Sequence, residues 1–429
     1  MAKECKTAVV SRLRFPEFRI GPEWRTRVLG PMTSKVGSGI TPLGGDKKYK
    51  AQGRPFVRSQ NVGWGELLLN DVAHIDEETH RSFDATEIEE NDVLLNITGA
   101  SIGRSAVADS RIVGGNVNQH VCIVRAKADE LNPVLLNQFL ISERGQKQID
   151  GFQAGGNRQG LNFSQIRSFE IPVAPTEREQ QRVADCLTSL DDVIAAQGRK
   201  VETLKTYKRG LMQRLFPGEG KTLPDLRFPE FRDGPGWEEA QLGDLFDTAS
   251  GGTPDRAKTE YWNGTIPWVT TSLIDFNVIT NVDEFISDAG LANSSTRVLP
   301  KDTVLIAMYG QGKTRGKVAM LGIAAATNQA CAAILPNGTI NPQFTFANLC
   351  GRYDEMRALS NSGGQENLSQ GLVRGLSFRY PKDVKEQSKI VGCLTSLDFD
   401  IHAESDRLET LRIHKKGLMQ QLFPAQEEV

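Results

Sequence analysis

Two long stretches of this 429-residue chain space their apolar residues by alternating threes and fours. In the first the positions are Val183, Leu187, Leu190, Ile194, Val201, Leu204, Leu211 and Leu215, and in the second Ile390, Leu394, Leu397, Ile401, Leu408, Leu411, Leu418 and Leu422. This spacing, kept up over many turns, lays one apolar stripe along a helix and is the pattern of a coiled coil. Thr176 with Glu179 and Asp383 with Glu386 stand where a capping box would open each helix, shortly after Pro175 and Pro381, and Phe-Pro closes both at Pro217 and Pro424. A helix of about 39 residues would rise roughly 58 Å at 1.5 Å per residue, too long for the core of a compact domain.

The regions between are patterned differently. Alternating runs such as VLLNIT near residue 95 and TVLIAMY near residue 305 predict short strands, broken by glycine turns at Gly99, Gly114-Gly115, Gly310 and Gly312. Helices are expected near Asn132–Ser142 and Asn341–Leu359. Each intervening block therefore reads as an α+β domain.

The chain also repeats itself. LRFPEFRIGPEW at Leu13–Trp24 returns as LRFPEFRDGPGW at Leu226–Trp237, and Thr176–Pro217 returns as Asp383–Pro424 with 21 of 42 positions identical and no gap. The variable blocks agree only in outline: Pro55-Phe56-Val57 faces Pro267-Trp268-Val269, Asp92-Val93-Leu94-Leu95 faces Asp302-Thr303-Val304-Leu305, and Asn118-Gln119 faces Asn328-Gln329. The expected segments are 1–20, a first variable domain at 21–175, a helix at 176–217, a second variable domain with its lead-in at 218–382, and a helix with tail at 383–429. An intrachain antiparallel coiled coil is the expected pairing, because two matching helices in one chain meet at high effective concentration.

Composition narrows the function. With 39% hydrophobic and 24% charged residues the values are globular, and no apolar run approaches the roughly 20 residues of a membrane span. The charged start is followed by no apolar signal-peptide core, so the expected location is the cytoplasm. Six cysteines without a C-x-x-C pair and five scattered histidines offer no metal-ligand spacing, and buried free thiols are expected. A net charge of -2 excludes coating of nucleic acid by bulk positive charge, so any DNA binding must use local basic patches.

Catalytic patterns are missing. The nearest is Ala307-Met-Tyr-Gly310-Gln-Gly312-Lys313-Thr314, but the first glycine of a P-loop is replaced by Ala307, and RGKVAMLGIAAAT reads as turn and strand where a phosphate-binding helix is needed. Paired carboxylates, a Ser-His-Asp order, a dinucleotide fingerprint and an adenine methyltransferase motif are likewise not found in the sequence.

The duplicated FPEFR, CLTSLD and KxGLMQxLFP segments, their spacing and the two variable blocks together resemble, over nearly the whole chain, the specificity subunits of type I restriction-modification systems. The resemblance implies two α+β target-recognition domains in tandem pseudo-repeat, separated by two long helices packed as an antiparallel coiled coil. It further implies that each domain reads one half of a split asymmetric site in double-stranded DNA, while the helices set the spacer and dock two modification subunits. Those partners would bind S-adenosylmethionine and methylate adenine, and restriction/translocase subunits would bring ATP and Mg chemistry; no cofactor is expected in this chain. Two domains on such helices could face the major groove about one turn, roughly 34–36 Å, apart.

Residues reading two different half-sites should differ between the halves, whereas shared residues serve structure or a common contact. Asn118-Gln119 and Asn328-Gln329 fall in the second class. Arg58, Ser59 and Asn61 face Thr270, Thr271 and Leu273 and are candidates for reading. Asn157, Arg158 and Gln159, with Gln365 and Asn367 in the other half, follow glycine pairs that permit close backbone approach. Arg104 in the first half and Tyr309, Gln311, Lys313, Arg315 and Lys317 in the second could serve phosphates or bases. The basic run Arg199, Lys200, Lys205, Lys208, Arg209 and Arg214 fits a helix-dipole role, or a phosphate- or partner-facing one. For the helix register, the polar ladder positions Gln197, Lys208, Glu404 and Lys415 favour Lys208 beside Glu404 and Gln197 beside Lys415, with Leu190 near Leu422, over a register that sets Lys415 against Leu190. Two rival functions are a coiled-coil interaction scaffold without DNA specificity and a nucleotide-binding enzyme using Gly310–Thr314.

Overall fold

A computed structural model describes residues 8–9, 12–153, 160–218, 220–310, 313–359 and 367–423. The chain folds as two compact units, one of residues 1–198 with 406–429, the other of residues 199–405. These units cut across the segments read from the repeat, because each long helix, Glu177–Leu215 and Val384–Leu422, is divided between them.

In the first unit a four-stranded sheet runs in the order Thr33–Ser38, Val121–Ala126, Val93–Asn96, Ser105–Val107, beside a three-stranded sheet of Ala73–Ile75, Arg54–Val57 and Asn116–Val117. The second unit repeats the plan with Thr248–Ser250, Cys331–Ile334, Val304–Ala307 and Val318–Leu321, adding Asn277–Ile279 at the edge. Its smaller sheet is Glu284–Ile286, Trp262–Val269 and Ala326–Thr327. In both smaller sheets the central strand pairs antiparallel on one side and parallel on the other.

The runs read as alternating become central strands, Val93–Asn96 and Val304–Ala307, that are buried at every position because both faces are covered. Val93 and Leu95 face a core shared with the helices Pro133–Ile141 and Glu177–Leu215, while Leu94 faces a second core with Val57, Val117 and Ile123. Val304 and Ile306 divide from Leu305 and Ala307 in the same way. Period-two alternation puts each set on its own side, and burying a Leu or Ile side chain there is worth about 1.5–3 kcal/mol.

The repeated FPEFR and GPxW text builds a buried clamp. Arg14 donates through Nε and Nη2 to the two oxygens of Glu179 at 2.6 and 2.7 Å, and Trp24 Nε1 donates to the same carboxylate at 2.8 Å. Arg14 also holds the carbonyls of Gly21 and Pro22. Arg227, Glu386 and Trp237 reproduce this at 2.7, 2.8 and 3.1 Å, with Gly234 and Pro235 in the matching places. A forked guanidinium suits a carboxylate in two parallel bonds, which locks the segment before each domain to the first turn of each helix. The expected capping boxes are therefore only half formed. Thr176 Oγ1 accepts from Glu179 N at 3.2 Å and Asp383 Oδ1 from Lys385 N at 2.8 Å, but both glutamate side chains turn to the clamp. Next in sequence, Gln180 and Gln387 accept from the backbone N–H of Asn132 and Asn341, the cap residues of Pro133–Ile141 and Pro342–Cys350.

The long helices pair antiparallel within each unit, but not in the register favoured by the polar ladder. Lys415 bonds Asp191 at 2.5 Å, Lys208 bonds Asp398, and Glu404 pairs with Lys200, so neither Lys208 beside Glu404 nor Gln197 beside Lys415 is formed. The two lysines meet the layers of Leu190 and Leu397 after all. Each ammonium is met by the carboxylate one residue beyond that leucine, Asp191 or Asp398, so neither is buried unpaired. The basic run is thereby partly consumed, since Lys205 also pairs with Glu202.

The helix ends complete the cores. Met419, Leu422 and Phe423 pack with Val183, Leu187 and Phe139 in the first unit, Phe139 and Phe423 edge to face at 5.5 Å. In the second unit Leu215 and Phe216 fill the corresponding place against Trp237 and Phe344. The backbone joints match too, Leu13 N to Gln421 O at 3.1 Å and Leu226 N to Arg214 O at 2.8 Å.

Candidate nucleic-acid interface

Both units build the same polar platform from two loops. Asn118 turns the first loop by accepting from His120 N at 3.1 Å, and its own N–H goes to Val57 O. Asn328 does the same with Ala330 N at 3.1 Å and Val269 O. Across from these lies a second loop, Ser38-Gly39-Ile40-Thr41-Pro42 in one unit and Ser250-Gly251-Gly252-Thr253-Pro254 in the other. A Cβ on Gly39 would stand 1.6 Å from Val117 O, and one on Gly251 2.0 Å from Thr327 O, so only glycine allows the loops to touch. The contact sets an exposed hydroxyl on an exposed amide: Thr41 Oγ1 on Gln119 Oε1, and Thr253 Oγ1 on Gln329 Oε1. The shared Asn is thus structural in both copies, while the shared Gln lies in the open. The S-G-x-T-P repeat, four of five residues alike, is the sequence signal for this loop.

Cations follow both S-G-x-T-P loops along the chain. Lys47, Lys48 and Lys50 follow Pro42 in sequence and are exposed, Lys50 pairing with Asp76 at 3.4 Å. In the second unit Arg256 follows Pro254, its guanidinium 3.8 Å from the ring centre of Trp262 and paired to Glu284 at 2.7 Å.

The expected reading residues fall out unequally. Arg58, Ser59 and Asn61 form the turn that follows Arg54–Val57, as Thr270 and Thr271 do after Trp262–Val269. Asn61 is fully buried, accepts from Arg58 N, and donates to Leu68 O and Asp71 Oδ1, both at 2.9 Å. With these bonds directed inward it holds the turn, buried where an exposed side chain was expected. Arg58 is half-buried, reaching Asp71 O at 2.7 Å over the ring of Tyr49. Ser59 lends its carbonyl to Asn96, and Thr270 shares a hydrogen bond with Ser272. Arg104 is half-exposed, and its side chain has no hydrogen-bond or ion-pair partner among the described residues.

Around the second platform Tyr309 is 41% exposed, and its hydroxyl is unpartnered among the described residues. Lys313 is exposed, Arg315 half-buried, and Lys317 is paired to Asp275 at 2.6 Å. The chain after Lys313 is turn and then the strand Val318–Leu321, with no helix N-terminus to hold phosphate. Asn157, Arg158, Gln159, Gln311 and Gln365 lie outside the described residues; Asn367 is exposed. The chain resumes beside both platforms in the same way, Leu161 N bonding Ile97 O at 2.9 Å and Leu368 N bonding Met308 O at 3.0 Å.

Burial pushes the thiols of Cys122, Cys331 and Cys350 up to about 12, which makes them packing groups and poor nucleophiles. Among the described residues no helix is long and apolar enough to cross a membrane.

One α+β scaffold is present twice, with a shared loop platform and different side chains around it. The chain belongs to the type I restriction modification DNA specificity domain family, whose pattern matches it twice, at residues 24–206 and 235–412. It is 28% identical over 163 residues, 37% of this chain and 40% of the other, to the EcoR124I/EcoR124II specificity subunit of Escherichia coli. To the HindI specificity subunit of Haemophilus influenzae it is 21% identical over 393 residues, covering 76% and 82%. With three of its curated relatives the match spans only 40–53% of their length. Among solved structures, the S subunit from M. genitalium superimposes with a TM-score of 0.57 at 17% identity over 97% of this chain and all of that one. A chain from a type I R-M system, solved to explain complex assembly and conformational transition, gives 0.60 at 15% identity, covering 94% and 98%.

Proposed function

We propose that this chain is the DNA-reading, non-catalytic subunit of a type I restriction-modification complex, each variable domain reading one half of a bipartite asymmetric site. The observation that carries this reading is the platform built twice on one scaffold with a different rim each time. A common geometry presents both rims alike, and the differing residues let each recognise its own half-site. Lys47, Lys48 and Lys50 would hold phosphates while side chains at the rim meet base edges. The paired helices set the unread spacer and dock two modification subunits. Those partners bind S-adenosylmethionine and methylate adenine, and restriction/translocase subunits supply the ATP- and Mg-dependent steps.

The test is selection from a randomised duplex library by the chain assembled with its modification subunit. One split sequence should emerge, bound far more tightly than the roughly 10⁻⁴–10⁻⁶ M of non-specific contact. Replacing residues 21–175 by another such domain should rewrite one half and leave the other half and the spacer intact. A library recovered without sequence preference, or both halves changing together, would overturn the proposal.

A further inference from the structure

The residue after the shared Asn-Gln pair is held identically in the two units and differs completely in chemistry. His120 O accepts from Ile97 N at 2.9 Å and Ala330 O accepts from Met308 N at 2.8 Å, while the N–H of each goes to the preceding Asn side chain. Ile97 and Met308 also receive the matching Leu161 and Leu368 bonds, so the two sites superpose bond for bond. The residues that follow, Thr98 and Tyr309, are then equivalent. The first unit thus pairs a small Thr98 with His120, and the second a large Tyr309 with a small Ala330. Each rim carries one large hydrogen-bonding ring, supplied from opposite loops.

His120 is ordered for presentation. Its Nδ1 meets the Thr98 hydroxyl, and Gln119 Nε2 lies 3.1 Å from its Nε2. Partners at both ring nitrogens fix the orientation of the imidazole. The imidazole is half-exposed beside the open Gln119 and one loop away from the exposed lysines after Pro42. A core histidine would have no reason to stand at a polar rim whose counterpart is an alanine.

We infer that His120 is the half-site-specific reading residue of the first unit, contacting one base pair in the groove, and that Tyr309 takes that part in the second unit. This rests on the DNA-reading function proposed above. The Thr-Gln pair beneath, being the same in both, contributes without regard to sequence.

The experiment compares wild type, His120→Ala and Tyr309→Ala, each assembled with the modification subunit, on the randomised duplex library, with thermal melting measured alongside. A lost base-pair preference corresponds to about a 5- to 150-fold fall in discrimination at one position. His120→Ala should flatten one position in one half-site only, Tyr309→Ala one position in the other half only, both with unchanged salt dependence and melting. A profile unchanged by His120→Ala, or flattened in both halves at once, overturns the inference while leaving the wild-type bipartite preference standing. A wild type without any bipartite preference instead defeats the functional reading itself. His120→Asn guards against misfolding: it should keep melting and shift preference at the same position, and a drop in melting with an intact profile would mark His120 as structural.

Discussion

Removing the carboxylate of Glu179 should destabilise the first unit selectively. Glu179 is 1% exposed and takes three donors, two from the Arg14 guanidinium and one from the Trp24 indole. The Arg14 side chain is itself 14% exposed, and the hydrogen bonds to Glu179 hold its pKa above the ordinary value against the pull of burial. Glu179→Ala strands a guanidinium and an indole N–H. Breaking a buried pair by deleting one partner costs about 3–5 kcal/mol, and because Arg14 keeps its bonds to the carbonyls of Gly21 and Pro22, the lower end, about 3 kcal/mol, is expected. With two units a single melting curve is ambiguous, so amide hydrogen exchange is the assay. At about 1.4 kcal/mol per tenfold, the most protected amides of residues 12–198 and 406–423 should exchange more than 100-fold faster, those of 199–405 at the wild-type rate. Glu386→Ala should show the reverse. In a double-mutant cycle, Arg14→Leu with Glu179→Leu should lose less than the sum of its singles, by about 1 kcal/mol or more. Equal acceleration in both units, or less than about threefold in the first, would refute the reasoning.

Two further outcomes follow from packing. Gly39→Ala drives a methyl into Val117 O and should cost about 2 kcal/mol or more in chemical denaturation, whereas Gly37→Ala, with nothing within 4 Å of its Cβ, should be neutral or slightly stabilising. Cys122, Cys331 and Cys350, held up to about 12 against an ordinary 9.0, keep protons that the unfolded chain releases. Their contribution is complete below pH about 9 and is lost as pH climbs toward 12. The denaturation midpoint should therefore fall between pH 8 and 10.5, by less in a variant with all three replaced by Ala, and a thiol reagent at pH 8 should modify the three far more slowly in the native than in the unfolded chain.

The helices and the tandem α+β plan were legible because period and repetition are local properties of text. The ladder through Val183 and Leu422 needs no knowledge of tertiary contacts. The register was not legible, because spacing alone puts Lys208 and Lys415 in the layer of their own Cα, whereas their ammonium groups end on Asp398 and Asp191. Glu179 was legible as a helix-start residue, but its partner Arg14 lies 165 positions away, and no local rule connects them. Asn61 shows the opposite error: an asparagine in a loop after a strand reads as exposed, yet its amide is what closes that loop. His120 and the S-G-x-T-P loop escaped because their meaning arises only where two distant turns touch.

The exchange of helix ends between repeats also dictates an order of folding. All the residues of the second unit lie between 199 and 405 and are available once that stretch has been made. The first unit, although synthesised earlier, lacks Met419, Leu422 and Phe423 from its core until the chain has grown by a further 225 or so residues. At about 5–20 residues per second that is a wait of roughly 10–45 s, during which Val183, Leu187 and Phe139 lack the part of their cover that the last helix end supplies. The domain translated first is the last to close, and over that interval the nascent chain is most dependent on protection from aggregation.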